Sequence, residues 1–71
     1  MIASSVALAK VCQDFLARVP GRTPFHVCLE QAIDALFVGK RDASMLVLGA
    51  LLRTTPAVRE RFFEALRLAV R

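Results

Sequence analysis

A small all-α bundle of about four short helices is the fold class this 71-residue sequence predicts. Three observations carry the prediction. Apolar residues recur at intervals of three and four, which is the period of a helix with one buried face. No stretch alternates apolar and polar residues with the period of a strand. Pro and Gly, several beside Thr or Asp, punctuate the chain where helices should start and stop. The connections left between them are short, roughly 3–5 residues, which favours antiparallel or sharply angled neighbours.

The first helix is predicted over about residues 5–18, with Ser4 or Ser5 as its N-cap and Pro20-Gly21 ending it. Leu8, Val11, Cys12, Phe15, Leu16 and Val19 make its apolar face. Lys10, Asp14 and Arg18 stand at i, i+4 and i+8 on the solvated side. The second helix, residues 24–38, has the clearest start. Thr23 is suited to cap it, and Pro24 fits the first turn because its missing N–H leaves nothing unpaired there. Phe25, Cys28, Leu29, Ala32, Ile33, Leu36 and Phe37 share one face, and Gly39 supplies the left-handed residue that ends the helix.

Asp42 is read as the cap of a third helix over about residues 43–53. Its sequence from Ala43 to Leu52, ASMLVLGALL, is apolar on every side except at Ser44 and Gly49. Thr55-Pro56 repeats the start signal and opens a fourth helix, residues 56–70. Val58, Phe62, Ala65, Leu66 and Ala69 form its apolar line, with Phe63 and Val70 flanking it. Glu60 and Glu64 towards its start and Arg67 and Arg71 at its end complement the helix dipole. Residues 1–71 are read as a single helical domain.

The composition then says what kind of domain this is. Apolar residues make up 56% of the chain without glycine, against about 45–50% with glycine in ordinary domains. A domain of this size hides only about 60% of its unfolded surface. An apolar surplus in so small a chain predicts exposed apolar surface, and hence a binding face. The third helix is the obvious source, since one core uses about half the circumference of a helix. Met45, Leu48, Leu51 and Leu52 are the candidate interface residues, with Phe63 and Val70 as extensions. Gly49 and Ala50 would let another backbone come close. The partner is a protein: a second copy in a homo-oligomer, or the amphipathic helix of another chain. Lying on an anionic membrane surface is the other use such a helix has. A bilayer span is not expected, because no apolar run approaches about 18 residues.

Other classes find little support. The net charge of +4 permits an acidic partner, and eight of the ten basic residues are Arg, a bias of GC-rich bacterial coding. These residues are scattered, with no polybasic block. Nucleic-acid binding is therefore the alternative function, through phosphate contacts at Arg59, Arg61, Arg67 and Arg71. A helix-turn-helix with Gly39 at its turn fits poorly. Its reading helix would present Ala43, Leu46, Val47 and Ala50, none of which can hydrogen-bond a base edge. Asp42-Ala43-Ser44 looks faintly similar to the phosphopantetheine serine of carrier proteins, but one residue too many separates Asp from Ser, and carriers are usually acidic.

Catalysis is not expected either. His26, the single histidine, is read as a partly exposed surface residue in the first turn of the second helix. Cys12 and Cys28 lie equally far from the Pro20-Gly21 turn and should face the seam between the first two helices. A disulfide there would close a loop of ~15 residues, worth up to ~3 kcal/mol. Nothing marks the chain as secreted, so a cytoplasmic location and reduced thiols are the default. Zinc would need a fourth ligand beyond Cys12, Cys28 and His26, and no cofactor motif is present.

Overall fold

Thr-Pro starts and Gly stops translate directly into helix ends in the computed structural model, which describes residues 4–70 and Ser4 by its backbone alone. The order is α1 (Ser4–Arg18), α2 (Pro24–Val38), α3 (Ala43–Leu51) and α4 (Pro56–Ala69), with no strand among the described residues. The all-α bundle is as predicted. Ser4 and Ser5 lie inside α1 rather than before it, so the N-cap of that helix falls outside the described residues.

α2 begins at an extended Thr23 (φ −114°, ψ 173°) followed by Pro24. It ends in a Schellman turn in which Lys40 N–H donates to the Ala35 carbonyl at 2.9 Å and Gly39 N–H to that of Leu36 at 3.3 Å. Gly39 takes φ 74° there, a conformation that would strain any residue bearing a Cβ. α4 also starts at an extended Thr followed by Pro, and there Thr55 Oγ1 accepts from Val58 N–H at 3.3 Å. Asp42 departs from its predicted part. It holds the N-cap position of α3, but its carboxylate makes no capping bond. The reason is its backbone (φ −87°, ψ 8°), which carries the preceding turn straight into the helix instead of extending away from it.

The first three helices pack in chain order, α3 along α2 and α2 against α1, and α4 returns to α1. The core joins Val11, Cys12 and Phe15 of α1 to Phe25, Leu29, Ala32 and Ile33 of α2, with Val47, Ala50 and Leu51 from α3 and Phe62 from α4. The Cα radius of gyration, 11.1 Å, equals the ~11 Å expected of one compact unit of this length. α3 comes close to α2 because the residues between them are small: Ala43, Ala50 and Ala35 are buried. Gly49 belongs to the same seam, since a Cβ there would lie 3.4 Å from Cys28 Sγ. The close approach that Gly49 and Ala50 permit is thus made to α2 and not to a foreign backbone. Covering by α3 also turns the buried arc of α2 towards Ala35, which leaves Phe37, predicted on the apolar face, exposed at the end of the helix.

His26 is the largest correction to the sequence reading. It is 3% exposed, and both ring nitrogens are used. Nδ1 accepts the Thr23 N–H at 3.1 Å and faces Thr23 Oγ1 at 2.8 Å. Nε2 meets the Val19 carbonyl at 2.7 Å. An amide can only donate and a carbonyl only accept, so the proton sits on Nε2. His26 therefore takes the place of Glu in a capping box while tying the end of α1 to the start of α2. In that position the ring lies under the turn linking the two helices, which explains its burial. His26→Ala strips a partner from each side and is expected to lower stability by about 2 kcal/mol. A shift in the urea midpoint at unchanged slope measures it, and an unmoved midpoint would contradict this role.

Candidate interaction surface

α3 sorts its side chains into two sets once α2 is in place. Ala43, Val47, Ala50 and Leu51 are buried, and Leu46 is half-buried. Met45, Leu48 and Leu52 are 70%, 50% and 76% exposed. These three stand at i, i+3 and i+7, so they form one unbroken apolar stripe along the helix, with Ser44 at its edge. The length of α3 is nine residues, and the stripe runs its whole outer face.

Leu51, predicted as a fourth member of that surface, is corrected by the structure. It is 2% exposed. The helical period places it beside Val47 on the inner face, where it fills the core instead of meeting a partner. Phe63 and Val70, the predicted extensions on α4, are both about half exposed. Phe63 also rests its ring edge-on to that of Phe62 at 6.3 Å, so part of its surface is already engaged. Val6, Phe37, Val38 and Leu68, none of them read from the sequence as part of a binding face, are exposed as well. Phe37 and Val38 could have been suspected from their position in the last turn of α2, where neighbouring helices run out.

The C-terminal end of α3 is closed by arginines. Arg53 donates to the Gly49 carbonyl at 2.9 Å. Arg59, reaching back from α4, donates through Nε to Leu51 at 3.0 Å and through Nη2 to Thr54 at 3.2 Å. These bonds satisfy carbonyls that every helix leaves free at its end. They also change the predicted set of anion contacts. Arg59 is spent on α3, Arg67 is paired with Glu64 at 2.6 Å, and Arg71 lies outside the described residues. Only Arg61 of that set is exposed with no ion pair or hydrogen bond among the described residues.

The thiols are separated by orientation. Both cysteines are free. Cys12 is in the core, and burial pushes its thiol up to about 12 from 9.0. Cys28 turns to α3 and donates to the Leu46 carbonyl at 3.2 Å. The seam it joins is α2–α3 rather than α1–α2 as predicted. Iodoacetamide is expected to label half-buried Cys28 in the native chain and Cys12 only after unfolding; equal labelling in peptide maps would contradict the packing. Cys12 gives stability no pH dependence well below pH 9, where the thiol is protonated folded and unfolded alike. Between pH 9 and 12 the unfolded chain alone loses that proton, so stability falls as pH rises. Denaturant melts through that range should show the fall, and Cys12→Ala should reduce it.

Among the described residues no three His, Cys, Asp or Glu side chains converge as metal ligands, and no buried side-chain N or O lacks a partner. No described helix is long and apolar enough to cross a membrane. Comparison with known protein families, with curated proteins and with solved structures finds no significant match to this chain. Its own geometry carries the functional reading.

Proposed function

We propose that this chain is a non-enzymatic protein-interaction module that docks an apolar helix face on α3. A single observation carries the reading: Met45, Leu48 and Leu52 form a continuous stripe, each at least half exposed, on a helix that gives Ala43, Val47, Ala50 and Leu51 to the interior. Leaving such a row in water forgoes about 1.5–3 kcal/mol per large side chain relative to burial, and a partner recovers it. Covering by a second copy is the simplest form, because one symmetric contact hides the stripe on both chains. An amphipathic helix from a cytoplasmic partner protein is the other form, with anchors spaced at i, i+3 and i+7 to match.

Absolute mass by light scattering, across a dilution series in reducing buffer, tests self-pairing. Self-pairing gives a mass above the 7.8 kDa of one chain, falling towards it on dilution. A mass of one chain at every concentration removes the self-pairing form and leaves the foreign helix. Co-sedimentation with anionic vesicles separates both from membrane-surface binding, in which the chain pellets with lipid.

A further inference from the structure

A second apolar surface lies away from the α3 stripe, in the groove between the end of α1 and α4. Phe15 forms part of its lining; Val19 borders it past the end of α1, and Val58, Ala65 and Leu68 wall it on α4. Its volume is about 350 Å³, towards the small end of the ~300–1,000 Å³ range of small-molecule sites. That size accommodates one slender apolar chain. Three charged residues stand at the groove: Arg18, Arg61 and Glu64. Two are committed, Arg18 to Asp14 at 3.2 Å and Glu64 to Arg67 at 2.6 Å. Arg61 is exposed and uncommitted among the described residues. The free charge at the mouth is therefore a cation above an apolar trough.

We propose that this groove binds a medium-chain carboxylate, its hydrocarbon tail against Phe15, Val58 and Leu68 and its headgroup on the Arg61 guanidinium. Charge complementarity selects this occupant. An anionic head satisfies Arg61, the one charged residue lining the groove that has no ion pair among the described residues. The site is independent of protein docking on α3.

Decanoate, titrated below its micelle concentration and followed by ¹H–¹⁵N NMR, tests the proposal. Saturable shifts are expected at Val19, Val58, Arg61, Ala65 and Leu68, with affinity rising by up to about fourfold for each CH₂ added from octanoate to decanoate. Arg61→Glu should weaken decanoate at least tenfold, and it should do so without disturbing the fold, because Arg61 holds nothing else among the described residues. Ala65→Phe fills the groove and should abolish binding, with circular dichroism confirming that the variant is folded; if it is not, Arg61→Glu carries the test. Leu48→Glu should leave decanoate binding unchanged, which keeps this test separate from that of the α3 face. Decanol binding as tightly as decanoate, shifts confined to Met45, Leu48 and Leu52, or no saturation would each overturn the assignment.

Discussion

Phe62→Ala is expected to remove about 3–5 kcal/mol of stability, the largest loss of any single truncation in α4. Phe62 is the one fully buried residue that α4 contributes, 0% exposed, with its ring edge-on to Phe15 at 5.3 Å. Truncating a buried Phe costs about 3–5 kcal/mol, part of it from the cavity left behind. A domain of this size holds about 4–10 kcal/mol in total, so the loss consumes much of the reserve. The backbone has no second route to compensate. α4 leans mainly on α1, and its other inward residues, Val58, Ala65 and Leu66, are only half-buried. Urea denaturation followed by circular dichroism measures the effect. A midpoint shift equivalent to less than about 1 kcal/mol would mean that α4 is not anchored through Phe62.

Leu48→Glu has the opposite profile: little change in the monomer and a large change in association. Leu48 is the middle residue of the α3 stripe and is half exposed, so a carboxylate there can stay in water when the chain is alone. Covered by a partner, the same carboxylate is desolvated with no cation assigned to it. Losing a central Leu contact and burying an unpaired charge together cost at least 2–4 kcal/mol, or about 30- to 1,000-fold in affinity. Thermal melting should therefore match that of the parent chain diluted to its monomer, while association is lost. A variant that associates as the parent does removes Leu48 from the docking face.

Much of the fold was legible because its signals are local. Thr23-Pro24, Thr55-Pro56 and Gly39 each determine a helix end through their own backbone chemistry, and the ends fall where those residues stand. Asp42 was misleading for the same kind of reason. Capping depends on φ and ψ as well as on residue type, and the turn before α3 sets those angles. His26 illustrates the limit more clearly. Its spacing three residues after Thr23 was visible, but the Val19 carbonyl comes from across the turn, and nothing in the helical period of α2 shows it. Leu51 and Gly49 could not be assigned while α3 read as apolar all round; only the side from which α2 approaches decides which half is core. The exposed half then follows by subtraction, and it contains Met45, Leu48 and Leu52 as predicted.

The charged residues were the least legible. Arg59 and Arg67 look alike on a helical wheel, yet one closes the end of α3 and the other pairs with a glutamate one turn away. Which carbonyl or carboxylate lies within reach is a property of the assembled bundle. The groove beside Arg61 likewise exists only because α4 docks on α1, so no pattern in either helix announces it.

Site-specific photo-crosslinking from position 48, in the cell that makes this protein, tests the docking face most directly. A benzoylphenylalanine at Leu48 should give a discrete covalent adduct with protein, either a second copy or a distinct chain. The same probe at Gln31, exposed on α2, should give none. Adducts of equal yield from both positions, or none from position 48, would contradict the proposal that the α3 stripe is where this protein meets its partner.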